Sequence, residues 1–94
     1  MDDDIRTKLR RADALLREER YVQAVGLYQG VADAFTQGGF VLKAVAVLRQ
    51  IIDITERAGP ELADARRHAL RELAQGYTAL GLTTDAAETR RRLD

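Results

Sequence analysis

Apolar and polar residues recur along most of this chain with the period of an α-helix. In the segment 4–19, Ile5, Leu9 and Leu16 fall on one side of a helix, and charged residues occupy most other positions. No segment shows the strict alternation of apolar and polar residues that a half-buried strand requires. The pattern predicts five helices, and therefore an all-α fold in a single domain covering residues 1–94. The predicted helices cover residues 4–19, 21–37, 40–57, 60–80 and 83–93.

The third predicted helix is the most apolar part of the chain. Between residues 40 and 54, only Lys43, Arg49, Gln50 and Asp53 are strongly polar. Their spacing places them on one narrow stripe of a helix, so the rest of its circumference is apolar. The apolar run is shorter than the roughly 18–20 residues that a transmembrane helix needs. We therefore predict a buried central helix.

Glycine, proline and small polar residues mark the predicted turns. Glycine suits the left-handed conformation at the end of a helix, and Pro60 suits the first position of a new one. Thr83 or Thr84 is the predicted N-cap of the last helix. Short connections favour consecutive antiparallel hairpins. The turn stretches are EERY (18–21), QGGF (37–40), AGPE (58–61) and LGLTTD (80–85).

Charge and composition argue against several classes of partner. The chain has 15 Lys and Arg against 15 Asp and Glu. It therefore lacks the basic excess with which proteins bind nucleic acid or anionic membranes. It contains no cysteine, so neither a disulfide nor a thiolate metal site is expected. The stretch MDDDIRTKLRR lacks the apolar core of a signal peptide, so we expect a cytoplasmic protein without membrane insertion.

Few residues offer catalytic or metal-binding chemistry. His68 is the only histidine, its neighbours in ARRHALRE are mostly charged, and the chain has no serine or cysteine nucleophile. The carboxylates show no spacing typical of metal ligands. We therefore expect a protein that is not an enzyme and that uses neither a metal nor another cofactor.

Two further patterns predict structure. Gly26 and Gly30 form a G-x-x-x-G pattern in the second helix, and we expect their small size to allow close helix packing within the fold. The run from Arg90 to Arg92 lies near the end of the last helix, where positive charge complements the helix dipole.

Three stretches of the chain resemble a known repeat family. They are LLREERYVQAVGLYQGV, QGGFVLKAVAVLRQII and LAQGYTALGLTTDAAETRRRL, and each resembles part of a tetratricopeptide repeat around its turn. The family places a small residue after the turn and a large residue four positions later. Ala24, Ala44 and Ala86 match the small residue. These alanines lie 20 and 42 residues apart, which departs from the family repeat of about 34 residues.

The resemblance implies an α-solenoid, a right-handed superhelical array whose groove binds a protein or peptide segment. It therefore implies a non-catalytic scaffold or adaptor in protein–protein interaction. The family's clamp for a terminal carboxylate is not implied, because the chain has no asparagine and Leu9 occupies a clamp-like position. The residues that the resemblance places in the groove are Arg6, Asp13, Arg17, Gln29, Asp33, Gln37, Arg71 and Gln75, with Leu9 and His68 beside them.

Two other functions are compatible with the same pattern. The fifth predicted helix is short and leaves an uncapped edge. The chain is alternatively a self-associating assembly module, for instance a homodimer, with Leu82 and Leu93 at the contact. Small tetratricopeptide proteins also include secretion-type chaperones, and this function stays open as well.

Overall fold

Helices make up nearly all of the described chain. The computed structural model describes residues 2–93, with side chains from Asp4 onward. Five α-helices follow one another, and no strand occurs between residues 2 and 93. The all-α class and the number of helices predicted from the sequence are therefore confirmed. The helices are α1 (Asp2–Arg17), α2 (Tyr21–Gln37), α3 (Val41–Ala58), α4 (Ala63–Ala79) and α5 (Thr83–Arg91).

Several helix ends differ from the predicted bounds. The first helix ends at Arg17 instead of residue 19, because the chain turns at Glu18 and Glu19. The last helix ends at Arg91, two residues before its predicted end. The 3-10 turn Pro60–Leu62 precedes α4, so the proline opens a tighter helical segment before the α-helix begins.

Three of the connections between helices share one three-residue conformation. In the α2–α3 connection, the N–H of Gly39 donates to the carbonyl of Thr36 at 3.1 Å, and the N–H of Phe40 donates to the carbonyl of Phe35 at 2.8 Å. This pair of hydrogen bonds is the Schellman motif. The same pair recurs in the α1–α2 and α4–α5 connections. The left-handed residue of each turn is Glu19 (φ 61°), Gly39 (φ 81°) or Gly81 (φ 77°).

Each of these turns leads into a buried alanine. The alanine N–H donates, at 3.0 Å in all three cases, to the carbonyl of the N-cap residue, which is Arg20, Phe40 or Leu82. None of these residues forms a side-chain cap. The predicted threonine N-cap of α5 is wrong, because Gly81 takes the left-handed position and Leu82 alone separates it from the helix. The buried alanines are Ala24, Ala44 and Ala86, which are 0%, 3% and 1% exposed.

The core is centred on α3, as the narrow polar stripe of this helix predicts. Burial of an isoleucine or leucine side chain contributes about 1.5–3 kcal/mol, which outweighs the few tenths of a kcal/mol by which β-branched residues disfavour a helix. The buried hydroxyl of Thr55 donates to the carbonyl of Ile52 at 2.8 Å. Within residues 2–93, neither this helix nor any other is long and apolar enough to cross a membrane. The buried residues of α3 are Ala44, Val45, Val47, Leu48, Ile51, Ile52, Ile54 and Thr55.

Each helix packs on the next, and single side chains also link helices two apart in the chain. Asp13 of α1 and Gln50 of α3 both contact the hydroxyl of Tyr28 in α2. Arg92, which follows α5, donates to Glu56 of α3 at 3.0 Å. The Cα atoms extend over 35 × 33 × 15 Å. Since packed helix axes lie about 8–10 Å apart, the smallest extent corresponds to a thickness of two helices.

Candidate functional site

A cleft between α2 and α4 lies over the surface of α3. Its floor is apolar and includes Val41, Val45 and Leu48 of α3. Its volume is about 230 Å³. An apolar floor with a few polar groups around it is typical of a binding cleft. The polar side chains at the rim of this α2–α4 cleft are Thr36, Glu72 and Gln75.

Gly76 brings α4 close to α3 inside the cleft. A Cβ at this position would lie 2.8 Å from Cγ2 of Val45, nearer than packed carbon atoms approach. The absence of a side chain therefore lets the backbone of α4 lie directly against α3. Glu72 and Gln75 are within about one helical turn of this contact.

A hydrogen-bonded group of side chains joins α2 to α4 beside the cleft. Nε2 of Gln29 donates to Oδ1 of Asp33 at 3.0 Å and also to Oε1 of Glu72. The amide has two hydrogens, so one side chain can serve both carboxylates. Nε2 of His68 lies 3.2 Å from the same Oε1 of Glu72. Two carboxylates and a histidine thus lie at the edge of the cleft.

The hydroxyl of the buried Tyr28 forms a second polar group with exposed side chains of α1 and α3. It donates to Oδ1 of Asp13 and accepts a hydrogen bond from Nε2 of Gln50 at 3.3 Å. Burial raises the pKa of Tyr28 above its ordinary value, the hydrogen bond to Asp13 raises it further, and the charge of Arg17 acts in the opposite direction. The hydroxyl therefore keeps its proton, and Asp13 is engaged within the fold.

Only some of the predicted groove residues lie at or beside the α2–α4 cleft. Gln75 is at its rim, and Gln29 and Asp33 belong to the hydrogen-bonded group beside it. Arg71 is exposed on α4, one turn before Gln75. These residues therefore share one region, whereas the predicted residues of α1 lie elsewhere.

The predicted groove residues of α1 lie beside α3 instead of α4. Arg6 and Leu9 line a shallow recess that also includes Lys43 of α3. Asp13 is engaged by Tyr28, as described above. Since α1 and α3 both reach the same tyrosine, they flank α2 together. None of the described side chains of α1 lines the α2–α4 cleft.

Sequence reasoning missed several residues of the cleft. Thr36, Glu72 and Gly76 were not predicted to be functional, and the α3 floor was predicted only as core. Glu72 follows His68 by four positions, a spacing that places both on one face of a helix. A glycine in the interior of a helix is also unfavourable by itself, and at Gly76 it coincides with a close contact to α3. These two features of the sequence could have indicated that α4 contributes to a site.

A second recess lies between α1, the end of α2 and the start of α3. We call it the Phe40 recess; its volume is about 320 Å³, and Ile5, Phe35 and Phe40 line it. The rings of Phe35 and Phe40 meet edge to face, with their centres 6.5 Å apart. The recess is therefore mainly apolar inside. The polar residues at its rim are Asp4, Lys8, Gln37 and Lys43.

The packing role predicted for Gly26 and Gly30 is wrong. Apart from the adjacent helix backbone, a Cβ built on either residue meets no described atom within 4 Å. Neither glycine lies against another helix of the described chain. The neighbouring helices contact α2 through larger side chains such as Tyr28, while Gly26 is exposed and Gly30 lines the Phe40 recess.

Leu82 and Leu93, predicted at a self-association edge, have different environments. Leu82 is 43% exposed, whereas Leu93 is partly buried and packs against the core. The largest exposed apolar side chains also include Leu42, at 71%, and Phe40, at 53%. Leu80 lines a shallow recess with Phe40 and Leu42. Exposed apolar surface therefore gathers where the α2–α3 and α4–α5 connections lie near each other.

Among the described residues, no three His, Cys, Asp or Glu side chains gather closely enough to hold a metal ion. No protein-family model, curated protein or solved structure matches this sequence.

Proposed function

We propose that this chain is a tetratricopeptide-like interaction domain that binds a segment of a partner protein in the α2–α4 cleft. The observation that carries the proposal is the cleft itself, whose apolar floor lies between polar residues of two helices. Such a surface can bury an apolar side chain and hydrogen-bond the backbone beside it. In this proposal the domain is a non-catalytic scaffold or adaptor.

The helix arrangement supports the tetratricopeptide-like part of the proposal. Three connections share one conformation, and each leads into a buried alanine, as expected for repeated helical hairpins. Each helix packs on the next, and Gln29 of α2 also reaches Glu72 of α4. These contacts fit a two-layer array of antiparallel hairpins, with α2 and α4 in one layer and α1, α3 and α5 in the other. The cleft is then the groove of a short α-solenoid.

The rim provides both hydrogen-bond donors and acceptors for a bound segment. Gln75 is exposed and can both donate and accept through its amide. The hydroxyl of Thr36 donates to the carbonyl of Ala32 at 3.0 Å, so its lone pairs can accept from a backbone N–H of the ligand. An apolar side chain of the ligand would lie between these residues, against Leu48.

Selection from a displayed library of random peptides on the immobilised domain tests the proposal. We expect the enriched peptides to share an apolar side chain. Gln75→Trp should weaken their binding, because the indole covers the floor. Gln23→Trp adds the same group at an exposed position of α2 outside the cleft and should leave binding intact. Absence of enrichment, or equal loss in both variants, would contradict the proposal.

Exposed apolar side chains favour self-association as a second candidate function. Leu42, Phe40 and Leu82 are 71%, 53% and 43% exposed, and a second copy would remove them from water. Light scattering over a range of concentrations should then give about twice the monomer mass of 10.5 kDa. Leu42→Arg should restore the monomer. A wild-type chain that is monomeric at every concentration would rule this candidate out.

A further inference from the structure

The Phe40 recess is an apolar surface separate from the α2–α4 cleft. The two share no lining residue. Phe40 is 53% exposed although its ring contacts Phe35 edge to face, so an apolar group on this surface would gain burial. The volume of about 320 Å³ can hold a large side chain of a partner.

Gly30, in the wall of this recess, has no packing partner in the described chain that requires glycine. It lies in the interior of α2, where glycine lowers helix stability relative to alanine. A Cβ at this position meets no described atom within 4 Å, so alanine would fit without a clash with the described residues. The missing side chain leaves the α2 backbone open to a molecule in the recess.

The described charged residues at the rim of the recess are two lysines and one aspartate. Nζ of Lys43 lies over two aromatic rings of the recess, 5.2 and 5.7 Å from their centres. Lys8 lies at the α1 side, and Arg6 lines the adjoining shallow recess together with Lys43. Asp4 is the one carboxylate among the described residues that line the recess, and it is 3.6 Å from Lys8. Lysines therefore outnumber carboxylates among the described residues at this rim.

We propose that the Phe40 recess binds an acidic amphipathic segment of a partner protein. An apolar side chain of the segment enters the recess against Phe35 and Phe40 and displaces water there. Carboxylates of the segment pair with Lys43 and Lys8 at the rim. Its backbone passes over Gly30, where no side chain blocks the approach. This site is additional to the α2–α4 cleft and does not depend on it.

Two labelled peptides of opposite charge test the proposal on the intact chain. Both carry leucine and phenylalanine on one helical face, and the other face carries glutamate in one peptide and lysine in the other. Fluorescence anisotropy should show the acidic peptide binding at least about tenfold more tightly. Lys43→Glu should reduce this preference about fivefold or more. Asp4→Asn should strengthen binding of the acidic peptide.

Gly30→Leu and Gly26→Leu form a matched pair of variants. Both introduce the same good helix former into α2, at positions where a Cβ meets nothing within 4 Å. Only the side chain at position 30 enters the recess. We expect Gly30→Leu to weaken binding of the acidic peptide about tenfold or more. Gly26→Leu should bind like the wild type, and both variants should melt at or above the wild-type temperature.

Three outcomes would overturn the proposal. The first is equal affinity for the two peptides, and the second is equal loss of binding in the two glycine variants. The third is a wild-type chain that forms a dimer and does not bind the acidic peptide, together with a Gly30→Leu variant that is monomeric. This result would show that a second copy of the chain occupies the recess. If Gly30→Leu does not fold, the variants Lys43→Glu and Lys8→Glu test the proposal instead. Loss of the charge preference in both supports the proposal, and an unchanged preference refutes it.

Discussion

Glu19 is a left-handed residue that the fold places where glycine is preferred. Its φ is 61°, and the matching positions of the two other connections of this type are occupied by Gly39 and Gly81. An L-residue in this conformation brings its Cβ close to the following carbonyl oxygen. Glu19→Gly should therefore stabilise the protein, although it removes a charged side chain and adds no contact.

The expected gain follows from two opposing contributions. The left-handed conformation costs an L-residue about 1–2 kcal/mol. Glycine removes this cost. It also increases the conformational entropy of the unfolded chain, which lowers the free energy of unfolding by about 0.5–1 kcal/mol. Glu19→Gly should consequently raise the free energy of unfolding by about 0.5–1 kcal/mol. In a domain of this size, this corresponds to a rise of about 2–8 °C in Tm.

Urea and thermal unfolding, followed by helical circular dichroism, measure this effect. Glu18→Gly is the matched control, because it makes the same replacement one residue earlier, where φ is not positive. It should lower stability by about 0.5–1 kcal/mol, since only the entropic cost applies. The exposed ion pair of Glu18 with Arg20, at 3.2 Å, adds little. Equal shifts in the two variants, or a loss of stability in Glu19→Gly, would refute the reasoning.

Three further predictions concern the core. Tyr28→Phe should lower the free energy of unfolding by about 1–2 kcal/mol at neutral pH. The wild type should lose stability above pH 10.0, because the unfolded tyrosine deprotonates there while the buried one, with its raised pKa, keeps its proton. Tyr28→Phe should lessen this loss. Urea titrations at neutral and alkaline pH measure both effects. Gly76→Ala should cost about 1–2 kcal/mol through its clash with Val45, and a double-mutant cycle with Val45→Ala should recover part of this loss. Ile51→Ala should cost about 2–5 kcal/mol because Ile51 is fully buried, whereas Leu42→Ala, at a residue 71% exposed, should change thermal stability little.

Local periodicity was sufficient to predict the helices. The polar stripe of α3 is visible in the sequence because residues three and four apart share one face of a helix, whatever lies around it. The glycines at 39 and 81 were predicted in turns for an equally local reason, since their backbone conformation is unfavourable for other residues. Glu19 shows the limit of this rule, because the Schellman hydrogen bonds of its turn hold a non-glycine residue in the same conformation.

The candidate site was only partly predictable. Gln29, Asp33 and Gln75 were predicted as groove residues, but their common location depends on how α2 and α4 pack across α3. The floor of the cleft reads in the sequence as ordinary core, since nothing local distinguishes a buried valine from one at the bottom of a cleft. The same limit explains the error at Gly26 and Gly30, whose pattern predicts close packing but does not show which helix, if any, lies against them.

By itself, the sequence determined the all-α class, the number of helices and the burial of α3, because each depends on contacts within about one helical turn. Only the tertiary structure decided that Asp13 is engaged by Tyr28, that Gln29 reaches Glu72, and that the wall around Gly30 stays open. These relations join residues far apart in the chain. They depend on the angles and distances at which whole helices pack, and many sequences with the same apolar pattern could pack differently.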